Sequence, residues 1–225
     1  MPVRAVIFDV DFTIARPGPD LGPEGYRRLG ERHGLDLDPS RYEEARRAAF
    51  VDLKRHPELD HDEEIWVLFT QRIIDGMGGV GDTYAAAYEM ESAWSHAHHF
   101  ELYEDTAPVL HALRERGIRI GLVSNSARDV REFARHHALD IDAGISSFHH
   151  GKTKPHASIF RAVLELLDVE PAEAMMVGDS LSDDIEGARA LGMLAVFVDR
   201  LGLKPDFEPR IESLTELAAF LTARA

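Results

Sequence analysis

The chain has 225 residues, enough for one substantial core or for a core with a smaller insert. Its 40 acidic against 25 basic residues give a formal net charge of -15, which argues against a protein that grips nucleic acid through a basic face. There is no cysteine, so neither a disulfide framework nor a thiolate ligand or nucleophile is available, a usage that fits a cytoplasmic protein. No apolar run approaches the ~20 residues of a membrane span. The first strand begins too near residue 1 to leave room for a signal peptide.

Ala5 to Phe8 is a continuous apolar run that ends abruptly in Asp9, with Asp11 and Thr13 following at alternate positions. A short, β-branched and aromatic run of this kind predicts a buried strand whose carboxylates emerge at its C-terminal end. Residues 15–25 are dense in proline and glycine and mark the chain leaving that strand. From Pro23 to about Trp94 the pattern is helical. Tyr26 and Leu29 precede a stop at His33-Gly34, and Tyr42, Ala45, Ala49, Phe50 and Leu53 mark a second helix. Ile65, Trp66, Phe69 and Ile73 mark a third, and Thr83, Ala87, Met90 and Trp94 a fourth. No strand interrupts them, so residues 16–96 read as a helical insertion, and residues 1–15 with 97–225 as the core around it.

After about Phe100 strands and helices alternate. Thr106-Ala107-Pro108 opens a helix that stops at Gly117, and Ile118 to Val123 is an apolar strand ending in Ser124-Asn125. Ser126 to Asp129 fits a capping box for the next helix. A weaker strand around Ala143 to Ser147 leads to Lys154 and to a helix through Ile159, Phe160, Val163, Leu164 and Leu167. Ala174 to Val177 is a strand ending at Gly178-Asp179, Ile185 to Leu191 a helix, and Leu194 to Val198 another strand. Residues 201–210 read as a linker before a final helix, Leu214 to Leu221. This order predicts a doubly wound α/β fold with a parallel sheet and an inserted helical domain.

In such sheets ligands sit outside the carboxyl ends of the strands. Asp9, Asp11, Ser124, Asn125 and Asp179 all fall at strand ends, and Lys154 at a helix start. Crowded carboxylates repel one another, and these outnumber the single lysine, so a hard, oxygen-seeking divalent ion, Mg²⁺ above all, is expected among them. A carboxylate nucleophile, a second carboxylate, a metal, a lysine and a hydroxyl suit phosphoryl transfer.

Four stretches then resemble, in order, the motifs of the haloacid dehalogenase (HAD) superfamily of hydrolases. They are Asp9-Val10-Asp11-Phe12-Thr13, Ser124 after its strand, Lys154 in KPHASIF, and GDSLSDDIEGA around Asp179. The resemblance implies that Asp9 attacks phosphorus to form an aspartyl-phosphate, and that Asp11 protonates the leaving oxygen and then activates water. It also implies that Ser124 and Lys154, with Asn125 beside them, hold the phosphoryl group, and that Mg²⁺ binds the carboxylates of Asp9 and Asp179 and the main-chain carbonyl of Asp11. Thr13, Asp184 and Asp183 are assigned to the surroundings of the metal, Asp184 ahead of Asp183 by its spacing to Gly187-Ala188. Phe12 departs from the glycine most often found at its position in the family, which bears on the turn geometry more than on catalysis. Dehalogenases of this fold typically lack the acids at the Asp11 and Asp179 positions, so a phosphatase is favoured. The insertion falls where the family places a helical cap, which would exclude water and set specificity.

The expected activity is therefore Mg²⁺-dependent hydrolysis of a small phosphorylated metabolite, with no nucleic-acid or membrane partner and an oligomeric state the motifs leave open. The alternatives are a phosphomutase of the same superfamily and a non-catalytic binding module that keeps the fold. Other signals carry less. Gly76 to Gly81 matches G-x-G-x-x-G but follows a helix rather than a strand, and Gly151-Lys152-Thr153 lacks the earlier glycine of a P-loop. His96, His98 and His99 read as hinge residues, and His61-Asp62 as a helix start capped by Asp60 or Asp62. Arg46, Arg47, Lys54 and Arg55 read as a solvated helix face.

Overall fold

The computed structural model describes residues 2–51, 53 and 55–222, so Lys54 lies outside the described residues. The run that opens the chain forms β1 (Ala5–Phe8), and all four of its side chains are fully buried. Burying Val6, Ile7 and Phe8 contributes about 1.5–3 kcal/mol each, which anchors the strand that carries Asp9. The chain then passes along β2 (Ala15–Pro17) into four helices, α1 (Pro23–Arg32), α2 (Tyr42–Val51), α3 (Glu63–Gly76) and α4 (Thr83–Trp94). It returns along β3 (Phe100–Leu102), which pairs with β2 in a two-stranded sheet.

The remainder alternates as its pattern predicts: α5 (Thr106–Glu115), β4 (Arg119–Ser124), α6 (Val130–His136), β5 (Ala143–Ser146), a single turn α7 (Ser147–His150) and α8 (Ala157–Leu167). Then follow β6 (Ala174–Gly178), a wide π-type turn over Leu181–Glu186, α9 (Gly187–Ala190), β7 (Leu194–Val198), β8 (Arg210–Ile211) and α10 (Leu217–Thr222).

Six parallel strands stand in the order β5-β4-β1-β6-β7-β8. Ala5 and Ile7 of β1 share one apolar cluster with Ile159, Phe160, Val163 and Leu167 of α8. Val6 and Phe8, on the opposite face, are equally inaccessible, so the sheet is covered on both sides. The strand order reverses across β1, which puts the crevice between β1 and β6 at the topological switch point.

The chain divides into two compact units, Met1–Arg16 with Leu102–Ala225, and Pro17–Glu101. The second unit comes one residue later than its expected start and runs five residues past its expected end, because the chain continues through His99 into β3 before rejoining the core. Within that unit α3 packs against both α2 and α4, and the buried stripe on α3 is Val67, Thr70, Ile73 and Ile74. Of the aromatics that marked these helices, Trp66 and Phe69 are half-buried and Phe50 is exposed. Among the described residues no helix is long and apolar enough to cross a membrane.

Three local expectations are corrected. The cap of α6 is Asp129, which accepts from Arg131 N at 2.8 Å and Glu132 N at 3.1 Å, so residues 125–128 form a loop and not the first helical turn. The stretch read as a linker runs into β8, whose Arg210 and Ile211 pair with Phe197 and Val198. The helix through Ile185 begins as the π-type turn.

Candidate active site

Phe8 lies beside Leu122 of β4 and Val177 of β6, and Asp9 N donates to Val177 O at 2.9 Å, so the ends of these strands form one edge. Lys154 reaches that edge from the turn before α8. Its ammonium, 2% exposed, donates to Asp9 Oδ1 at 2.5 Å, Asp184 Oδ1 at 2.7 Å and Val123 O at 3.2 Å, which uses its three N–H groups. A buried cation is tolerable only when paired and hydrogen-bonded in this way. Burial opposes its charge, but Asp184 and Asp9 prevail and hold its pKa above the ordinary lysine range.

The carboxylates are under opposite pressure. Burial pushes Asp9 up to about 7; Lys154 pulls it down, and Asp184 and Asp11 add to the rise. Asp179 is raised well above the usual carboxylate range by burial and by Asp9 and Asp184. Asp184 is raised by burial, against Lys154 and the Ser180 N–H. One carboxylate oxygen from each of Asp9, Asp179 and Asp184 lies within 4.8 Å of the others. Three acids share one lysine here, and an all-oxygen donor set of this charge fits a hard divalent cation. The wide turn is what brings Asp184 back to the edge, and Gly178 makes room for it: a Cβ on Gly178 would stand 2.2 Å from Asp184 Oδ2.

The other expected site residues are placed as follows. Ser124, 1% exposed, donates to Ser126 Oγ at 3.0 Å. Asn125, expected beside the phosphoryl group, instead spans the backbone of Lys154: Lys154 N donates to its Oδ1 at 2.7 Å and its Nδ2 donates to Lys154 O at 3.0 Å. The amide is committed to holding the lysine turn. Thr13 is fully buried and its carbonyl accepts two N–H groups of Arg200, at 3.1 and 2.7 Å. Asp183 is buried, accepting from Ser182 Oγ at 3.2 Å and, at 3.4 Å, from Asn125 Nδ2. It stands outside the close carboxylate group, which Asp184 joins. The Asp11 carboxylate also stands outside it, with Arg128 Nη2 donating to its two oxygens at 2.6 and 2.8 Å, so any part of Asp11 in holding a metal falls to its main chain.

Arg128 and Arg200 were not anticipated. Arg200 follows the end of β7, where the rule that singled out Asp9 applies equally; it also takes Asp105 in two contacts of 3.0 Å and lies 3.8 Å from the Tyr103 ring centroid. The signals set aside stay outside the site. Gly76 ends α3 and the glycines after it form the loop to α4. Gly151 ends α7, Asp62 caps α3, and Arg46 and Arg47 bond within α2 to Glu43. Among the described residues the only group of three or more side chains close enough to hold a metal is the acidic one, which His96, His98 and His99 do not join.

A family model described as haloacid dehalogenase-like hydrolase matches residues 3–192, from β1 through the turn that carries Asp184. The chain belongs to the haloacid dehalogenase-like hydrolases. Among its relatives is the human haloacid dehalogenase-like hydrolase domain-containing protein 3, 30% identical over 99% of this chain and 94% of that protein. A glyceraldehyde 3-phosphate phosphatase from Methanopyrus kandleri is 33% identical over 92% of this chain and 88% of its own. The crystal structure of a HAD phosphatase from Thermococcus onnurineus superposes with a TM-score of 0.68, at 28% identity over 98% of both chains. These full-length likenesses include the helical insertion of this HAD-like hydrolase as well as its core.

Proposed function

We propose that this HAD-like hydrolase is a Mg²⁺-dependent phosphatase of small phosphate monoesters, acting through an aspartyl-phosphate on Asp9. The observation that carries the reading is the environment of Asp9: a carboxylate at the central strand's end, held by Lys154 and facing Asp179 and Asp184. Two phosphatases among its relatives support it. Mg²⁺, held by Asp9 and Asp179 with Asp184 beside them, would neutralise charge on the phosphoryl oxygens. Lys154 fixes the Asp9 carboxylate in one orientation and, against burial, favours the ionised form that attacks phosphorus, as a bound divalent cation would. Asp11 gives a proton to the leaving oxygen as the P–O bond breaks and the bond from Asp9 to phosphorus forms; it then takes a proton from the water that attacks the phosphorus as the Asp9–phosphorus bond breaks, which frees the Asp9 carboxylate and releases phosphate. Ser124 lines the phosphoryl side, and Asn125 acts through Lys154 rather than on the phosphate. We assign substrate selection to the helical insertion, as the family pattern implies.

Phosphate release from a panel of sugar, nucleotide and small-acid phosphates, with and without Mg²⁺, tests this. The wild type should release phosphate only with the metal, and Asp9→Asn should release none while folding normally. Silence of the folded wild type with Mg²⁺, or substantial turnover by Asp9→Asn, would sink the reading.

A further inference from the structure

Arg128 lies on the loop between β4 and α6 and is among the most buried large side chains of the protein, 2% exposed. Burying a guanidinium costs several kcal/mol unless it is paired. Its partner is Asp11: one nitrogen, Nη2, donates to both carboxylate oxygens, at 2.6 and 2.8 Å. The guanidinium carbon stands 5.2 Å from the Phe133 ring centroid, within cation–π range. The loop is pinned at both ends, by the hydrogen-bonded end of β4 and by the Asp129 cap of α6. Arg128 is therefore a fixed donor that holds the acid two residues after the nucleophile.

From this we infer that Arg128 is a positioning residue, aiming the Asp11 carboxylate at the leaving oxygen and then at the attacking water. This rests on the phosphatase reading above. The shared nitrogen suits both halves of the cycle: when one Asp11 oxygen carries the proton the other still accepts from Nη2, and after transfer both accept. No atom of Arg128 is exchanged; the proton passes between Asp11 and the leaving group or water. What Arg128 supplies is orientation, and misplacement of a catalytic group by about 1 Å costs on the order of 10²-fold.

The test uses leaving groups of different basicity. An alkyl phosphate needs a proton on its departing oxygen, whereas p-nitrophenyl phosphate leaves without one. In the step that forms the aspartyl-phosphate, which kcat/KM reports, loss of Asp11 alignment must therefore fall on the first; water attack is common to both. In Arg128→Met, kcat/KM for an alkyl phosphate should fall about 10²-fold, while kcat/KM for p-nitrophenyl phosphate should be little changed. Retained aryl turnover also reports that the variant has folded. Arg128→Lys, offering one nitrogen in the same place, should recover part of the alkyl activity, and Asp11→Asn should reproduce the selectivity of Arg128→Met. If Arg128→Met does not fold, the alkyl-to-aryl ratio of Arg128→Lys carries the test: a fall supports the inference, and an unchanged ratio overturns it. Parallel loss of kcat/KM on both substrates would overturn the inference while leaving the phosphatase reading intact. A wild type inactive on both substrates would overturn the two together.

Discussion

Phe12 holds φ at 62°, in the left-handed region, between the two acids of the first motif, and its N–H donates to Ala15 O at 2.7 Å to close the turn. A residue with a Cβ pays about 1–2 kcal/mol there, which gives a physical reason for a glycine preference at this position. Phe12→Gly should therefore be more stable than Phe12→Ala by about 1 kcal/mol, the reverse of their order in a helix; urea melts of the two variants decide it, and an Ala variant as stable as the Gly one would remove strain from the account. Gly178 is constrained for another reason. The Cβ of Gly178→Ala would collide with Asp184 Oδ2 and pull that carboxylate off Lys154. The variant should lose Mg²⁺-dependent thermal stabilisation and most of its turnover, and an unaltered metal response in calorimetry would contradict the close packing described. Asp9, Asp179 and Lys154 were legible in the sequence because each follows a strand or opens a helix. Arg128 was not, because its partner lies 117 residues away and nothing local distinguishes a buried arginine from a solvated one.

The elements were legible where their pattern is local. The apolar runs of β1, β6 and β7 and the near-continuous one of β4 each identify a buried strand, and the parallel order follows from their alternation with helices. Where an element depends on distant partners the sequence is ambiguous. Ser126 and Asp129 are both good caps; the later one is used because the intervening loop is tied to Asp11 through Arg128. β8 is two residues long in a proline-containing stretch and exists only through pairing with β7. Asp129→Ala should cost about 1 kcal/mol of stability by freeing the Arg131 and Glu132 N–H groups. The same variant should loosen the Arg128 loop and so lower kcat/KM on alkyl phosphates more than on p-nitrophenyl phosphate. Equal melting temperatures for variant and wild type would show that the cap contributes nothing.

At the scale of the molecule, the raised carboxylates make stability depend jointly on pH and metal. A carboxylate whose folded pKa exceeds its unfolded one contributes stability that is full below about 4 and lost as pH rises through the folded value, which for Asp9 is about 7. Asp179 and Asp184 shift in the same direction, so the metal-free protein should weaken across this window. A divalent cation binds the ionised carboxylates and reverses the loss. The melting-temperature gain from Mg²⁺ over a chelator should thus be small at about pH 5 and larger at about pH 8; a gain that shrinks with rising pH would contradict the assignment of these acids to the metal. The claim on which the rest depends is that Asp9 carries the phosphoryl group, and borohydride trapping during turnover tests it most directly, since an aspartyl-phosphate is reduced to homoserine. With Mg²⁺ and substrate, peptide mass spectrometry should find homoserine at position 9 and at no other aspartate; an unmodified Asp9 in protein quenched while hydrolysing substrate, or homoserine elsewhere, would contradict it.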